Sequence, residues 1–509
     1  METLIYILFV FLGVLIGALL SILPGMHILN FVGIGLFIYL VTPGFDALGL
    51  AMIFIGMLIG YIMIGMIQMT YMGVPDDSTR YFAFPNQKYL MYGRGHEAAI
   101  IAGIGALGSA LILLAIAPAS NWIFPIFRRL TTPHFHWILI GVVFYLLQAD
   151  WPKDWGSRAK TRLGRLKDGW ASLSAGWLTF TLSMLLGFIS LNISILSIDR
   201  AFQNLMPVVV GFFGISYVLM NLISRANIPP QNVGNALYVS KKDMVRGTST
   251  GFLGGMFAAY QPMITAGPGL KLAGHATATG GDTQFMISGG AGRYAYYIGA
   301  FFLFWVPLLH LTRGALAWIS SVMYTPTVES EFWLLLAGIA MATVFAFVLL
   351  FVFSKIIAKK ISRINFYKLS RIVLSLIIGV VWGFSASRGY DPLLLVVMIF
   401  SSAAILFAVF TTLSKIITKV RTKGNYLPYI AVLIGFFLAF VLVEGLLVGY
   451  SGLADGARAM VILATATGIG LIPLTFRTMW TNTLLGYFFP IMLNMAGLSA
   501  GIVVALGVY

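Results

Sequence analysis

The residues of this chain whose types and spacing suit binding chemistry are ionisable and hydroxylated side chains beside proline and glycine. Pro24 and Gly25 precede His27 and Asn30. Proline removes an amide donor and glycine admits unusual dihedrals, so a helix should stop there and another begin near His27. The new helix would present free amides and the positive end of its dipole, a ready anion site to which His27 and Asn30 add side-chain groups. Pro75 is followed by Asp76, Asp77, Ser78 and Thr79, with Arg80 directly behind. Such a run caps a short helix. It equally forms a re-entrant hairpin tip, where amides and hydroxyls meet a carboxylate while an aspartate holds a cation.

A second stretch, 258–294, contains Gln261, Pro262, Thr265, Gly267 and Gly269, then His275, Asp282, Gln284 and Arg293. Its breaks interrupt a helical pattern, and its polar groups lack the Lys and Glu density of a solvated loop. Ionisable residues next to broken spans mark transport sites. A third stretch, 465–490, has Arg477 as its one charge, which an interfacial position also explains. Glu444 is isolated in an apolar run and joins Asp76 and Asp282 as a candidate for a coupling ion. No pair of histidines has metal-ligand context: His134 and His136 flank Phe135 at a helix start. No metal cofactor is expected beyond a coupling Na⁺ or H⁺. No nucleotide loop, serine elbow or dinucleotide fingerprint occurs, so energy should come from a gradient or a partner.

The elements that must position these residues are membrane helices. Of 509 residues, 59% are apolar and 9% charged, where soluble domains carry roughly 25% charge. Lipid is therefore the solvent, and a spanning helix needs about 20 apolar residues. Runs of that kind lie near 4–23, 47–72, 98–118, 135–149, 170–198, 203–222, 248–266, 295–313, 331–354, 372–388, 391–413, 426–449, 458–474 and 479–505. The apolar run 28–42 is short and suits half of a broken helix. The expectation is an all-α polytopic membrane protein of about 12–14 segments, with the first residues read as a retained helix rather than a cleaved signal. Zero cysteines exclude disulfides, thiolate metal sites and thiol nucleophiles.

The net charge of +16 concentrates in loops, where 150–168, 223–246, 355–371 and 415–423 hold twenty of thirty-two Lys and Arg. These four loops should be cytoplasmic. Basic patches interleaved with aromatics are absent, so no nucleic-acid partner is expected. Three spans between 246 and 355 would place loops 223–246 and 355–371 on opposite sides. A re-entrant or additional crossing is therefore expected in 271–293.

Residues 73–112, GVPDDSTRYFAFPNQKYLMYGRGHEAAIIAGIGALGSALI, resemble the signature of the large membrane subunit of the tripartite tricarboxylate transporters. Gly73-Val74-Pro75 is similar to that family's proline turn, Phe84-Pro85 to its middle segment, and Gly93-Arg94 through Ala99 to the part before a glycine-rich helix. Leu23-Pro24-Gly25 resembles the first break, and Gly470, Arg477, Gly486 and Pro490 the C-terminal signature. Asp76 stands where the family usually has glycine, and Gln261-Pro262 with Gly267-Pro268-Gly269 replaces a clean proline-glycine turn.

The resemblance implies two pseudo-symmetric inverted halves, 1–246 with breaks near 24–42 and 73–97, and 247–509 with breaks near 258–294 and 465–490. It further implies cation coupling, an extracytoplasmic solute-binding protein, a small membrane subunit and a multi-pass position in the cell membrane. The leading expectation is a secondary carrier of an organic anion, with Arg80, Arg94 and Arg293 as complementary charge. A flippase for a polyprenyl phosphate or similar lipid anion is the alternative, and an enzyme acting on lipid-linked substrates is a third. Besides the surrounding lipid, a second copy of the chain is the remaining partner considered.

Overall fold

The computed structural model of the protein describes residues 2–22, 46–74, 76, 78–151, 161–192, 205–224, 228–234, 237–261, 264–277, 280–305, 329–386, 392–419, 451–476 and 478–498. In chain order the helices are α1 Glu2–Ile22, α2 Ala47–Ile67, α3 Arg80–Met91, α4 Gly95–Ile116, α5 Ser120–Thr131, α6 Phe135–Gln148 and α7 Arg162–Asn192. They continue with α8 Leu205–Val209, α9 Ser216–Ser224, α10 Lys241–Tyr260, α11 Ala266–Ala276, α12 Asp282–Trp305 and α13 Glu329–Ile361. Last come α14 Phe366–Ala386, α15 Pro392–Lys419, α16 Ser451–Phe476 and α17 Thr481–Met495. Wider π-helical turns extend α2 over Gln68–Met72 and join α8 to α9 over Val210–Ile215.

No strand occurs among the described residues, and seven of their helical stretches are long and apolar enough to cross a membrane. The protein is an all-α polytopic membrane protein. The expected segments at 24–42 and 426–449, with Glu444, and the residue Arg477 lie outside the described residues.

The chain divides into two units, each drawn from two separate stretches: residues 1–135 with 226–366, and residues 136–225 with 367–509. In the first unit, α1 and α2 meet along small residues spaced four apart. Gly13 and Gly17 lie on the backbone of Ile53 and Met57, and Gly56 and Gly60 on that of Val10 and Val14. This spacing lets backbones approach, which drives association where lipid removes the hydrophobic force between helices. The cap of α2 is Asp46, whose carboxylate accepts from Gly49 N at 3.0 Å.

Helix α12 runs through the middle of this unit. Gly289 faces the Phe82 ring on α3, Gly290 the Ala102 backbone on α4, and Gly292 the Leu270 side chain on α11. Against α10 it keeps a parallel register, with Gly251 at Ser288 and Gly255 at Gly292. Against α2 and α4 it is antiparallel: Gly65 lies at Arg293 and Tyr61 at Tyr297, Ala102 at Gly290 and Gly105 at Ile287. The series α2, break, α3, α4 therefore runs opposite to the series α10, break, α11, α12.

The polar stretch 271–293 contains parts of two helices, and the 11-residue α11 is about 16 Å long, too short to cross. Helix α10 starts at Lys241, earlier than its apolar pattern at 248. Ser240 caps it by accepting from Asp243 N at 3.0 Å and donating to Asp243 Oδ2 at 2.6 Å.

In the second unit, α17 packs on α7, with Gly486 on Phe180 O and Gly187 on the Tyr487 backbone. The core contains Leu186, Phe212, Phe213, Tyr217, Ile462, Trp480 and Tyr487. Asp150 is buried here and ties the start of α17 by accepting from Met479 N at 2.7 Å and from the Asn482 amide.

Candidate functional site

After the π-helical turn, Gly73 adopts φ 64°, a left-handed conformation that suits glycine and turns the chain back along α2. Asp76 then sits beside Tyr61, three helical turns upstream of the end of that segment. Its Oδ1 accepts four bonds: from Ser78 N and Oγ at 2.9 and 2.7 Å, and from Thr79 N and Oγ1 at 2.7 and 2.8 Å. Its Oδ2 accepts from Tyr61 OH at 2.9 Å and from Arg293 Nη2 at 2.8 Å. Six donors thus converge on one carboxylate, and the Asp76 amide donates in turn to Thr79 Oγ1 at 2.8 Å. The Asp76 Oδ1 bonds to the Ser78 and Thr79 amides are those of a capping turn ahead of α3.

Arg293 is 1% exposed. The close approach of α12 to its neighbours brings it there: a Cβ on Gly65 would come within 2.6 Å of Arg293 Nη1, and the guanidinium lies 4.9 Å from the Tyr61 ring centroid. An unpaired charge at this depth would carry a large desolvation cost, and the Asp76 pair offsets it. Arg80 is buried at the head of α3, its amide donating to Asp76 O at 3.2 Å.

The second break contains Gln261 and Thr265, buried to 2% and 7% exposure. Gln261 N donates to Phe257 O at 2.8 Å, while Gln261 Oε1 and Thr265 Oγ1 have no hydrogen-bond partner among the described residues. Thr265 stands at the cap of α11 without capping it. Gly267 is buried in the first turn, and Gly269 meets the Gly254 backbone, so its role is close packing of α11 on α10.

Other expected residues lie elsewhere. Asp282 is eleven residues from Arg293 on α12, about 16 Å along the axis, and it pairs with Lys88 at 2.5 Å on an exposed surface. That hydrogen bond raises the Lys88 ammonium above its ordinary value. Gln284 accepts from Gly280 N at 3.0 Å, and His275 is half-buried near the end of α11. Arg94 lies past the far end of α3, bound to Glu97 at 2.5 and 2.6 Å, which raises it as well. The structure therefore gathers Asp76, Ser78, Thr79, Arg80 and Arg293, but separates Arg94 and Asp282 from them. Pro24, Gly25, His27, Asn30, Pro75, Asp77 and Pro262 lie outside the described residues.

Tyr61 and Gly65 complete the centre and were not singled out by sequence, where both read as parts of an apolar span. Asn86 was also passed over: fully buried on α3, it donates to Thr70 Oγ1 at 2.9 Å and ties α3 to the end of α2.

A family model described as the tripartite tricarboxylate transporter TctA family matches residues 7–410. An uncharacterised protein of Methanocaldococcus jannaschii is 33% identical over 100 residues, which is 20% of this chain and 24% of that protein. No solved structure matches. With most of its length matched by the family model, the chain belongs to the tripartite tricarboxylate transporter TctA family, whose members are membrane components of transporters.

Proposed function

We propose that this protein is the permease for a carboxylate-type organic anion in the cell membrane, with cargo bound where the helix breaks meet α12. The observation that carries this reading is the buried Arg293, brought by a glycine-lined helix to a turn already built to hold a carboxylate. Asp76 neutralises Arg293 while the site is empty. An arriving carboxylate exchanges for Asp76 Oδ2 on the guanidinium, and Oδ1 keeps its bonds to Ser78 and Thr79, so the turn persists through the exchange. Gln261 Oε1 and Thr265 Oγ1 offer further polar groups from the second break. Opposed helix directions on the two sides of α12 support inverted repeats, with the two breaks as equivalent parts. Coupling to a cation, delivery by a solute-binding protein and a small membrane subunit belong to the same reading.

Proteoliposomes containing the protein should accumulate a labelled di- or tricarboxylate under a cation gradient. Arg293→Ala should lower initial uptake at least about tenfold, the scale of a lost charged hydrogen bond in a dry site, while Arg128→Ala on α5 leaves it near wild type. Failure with every soluble anion, alongside saturable movement of a polyprenyl phosphate, would replace this cargo with a lipid. Equal uptake by both variants would remove Arg293 from the site.

A further inference from the structure

We propose that His96 is the proton-binding residue of this transporter, and that its charge state is passed to the first helix break through Ser354 and Tyr71. The proposal rests on the reading of 73–80 as part of the transport site. His96 lies in the first turn of α4 and is 4% exposed. It lines a cavity of about 160 Å³ together with Arg94, Glu97, Asn232, Leu237 and Phe351. Arg94, which also lines the cavity, is half exposed, so the cavity opens toward solvent on that side.

On the inner side, His96 Nδ1 is 3.0 Å from Ser354 Oγ on α13. Tyr71 OH is 3.2 Å from both Ser354 Oγ and Ser354 O. Tyr71 is fully buried in the π-helical turn that leads directly into Gly73 and Asp76. Wide turns of this kind concentrate at functional positions.

These contacts permit two hydrogen-bond directions. With the neutral ring protonated on Nε2, Ser354 Oγ donates to Nδ1 and Tyr71 OH donates to Ser354 Oγ. Once the ring binds a second proton, Nδ1 becomes a donor. Ser354 Oγ then accepts from His96 and is free to donate to Tyr71 Oη, with Tyr71 turning its own hydrogen to Ser354 O. One proton taken from the cavity therefore reverses the chain up to the edge of the break, and its loss restores it.

The charged and titratable groups around the ring are Arg94 and Glu97 at its own helix start, Lys355 on α13 and Tyr71 on α2. Phe351 meets the ring edge-on at 5.2 Å between centroids. Among them Glu97 is the negative charge, paired with Arg94, and Lys355 is the positive charge on the facing helix.

The test uses the full chain in two measurements from pH 5 to 8: Tm in detergent, which needs no cargo, and uptake into proteoliposomes. In the wild type both should vary with pH, uptake by at least about threefold across the range expected for a titrating histidine. His96→Gln, whose amide still bonds Ser354 but does not titrate, should flatten both profiles, whereas His134→Gln should leave them as in the wild type. Ser354→Ala keeps the imidazole and cuts the link to Tyr71: Tm should still follow pH and uptake should not. A wild-type Tm profile retained in His96→Gln would overturn the assignment of the proton to His96. A wild-type uptake profile retained in Ser354→Ala would overturn the relay. If no cargo is moved by any variant while the Tm profiles behave as stated, the site at the break fails and the proton site stands.

Discussion

Arg293 stands at the centre of the first unit, and its partner Asp76 determines what its loss does. Removing the guanidinium takes from Asp76 the cation it pairs with at 2.8 Å in a mostly buried turn, a loss that costs roughly 3–5 kcal/mol. Arg293→Ala should therefore lower Tm in detergent as well as uptake, and the double variant Arg293→Ala/Asp76→Asn should recover part of the Tm without recovering uptake. A double variant no more stable than Arg293→Ala would mean that the pair contributes little to the fold. Asp76, Ser78, Thr79 and Arg293 were legible in the sequence because charge and hydroxyls are scarce in a chain of this composition. Tyr61 was not, since a phenol in an apolar run reads as lipid-facing or interfacial until its hydroxyl is seen donating to Asp76. Arg94 and Asp282 looked equally eligible, but sequence carries no distance, and each is satisfied by a local partner.

Helix α12 shows what small residues do at the level of an element. Gly290→Ala would drive a Cβ into the Ala102 carbonyl, whereas Gly280→Ala meets nothing within 4 Å. The first should destabilise by about 1–3 kcal/mol, as overpacking does, and the second should leave Tm nearly unchanged. Equal Tm values would show that α12 is less tightly held than its contacts imply. The loop before α10 is tied to α4 in a similarly specific way. Gln231 Oε1 accepts from Gly95 N at 2.8 Å and its amide donates to Leu90 O at 3.0 Å. Gln231→Ala should cost about 1 kcal/mol, the scale of a lost helix-end bond. Loop parity in the sequence demands a further element between 246 and 355; α11 adds a short helix there, but at 11 residues it adds no crossing. The start of α10 was misplaced because apolar periodicity does not register a polar first turn capped by Ser240.

For the whole molecule, the four basic loops set a prediction about sidedness. The chain has no cysteine, so single cysteines can be introduced without background. Ser157→Cys, Tyr238→Cys, Ser362→Cys and Thr422→Cys should all react with an impermeant maleimide from the cytoplasmic side alone. One of them labelled from outside would break the assignment of that loop and the crossing count beside it. Membrane class was legible from composition, and family from motifs at residues 73–112. The division into two units was not, because each unit joins stretches separated by about a hundred residues. A last consequence concerns phase. The π-helical turn at Gln68–Met72 holds one residue more than α-helical winding would. Deleting a single residue there would let the segment rewind as α-helix and keep everything beyond it in phase, whereas one residue inserted ahead of the turn, in the packed α2, would rotate everything beyond it by about 100°. The insertion would swing Tyr71 away from Ser354 and the Asp76 turn away from Arg293 in one step, so one added residue should disconnect two networks that share no atom, and the deletion should spare the second.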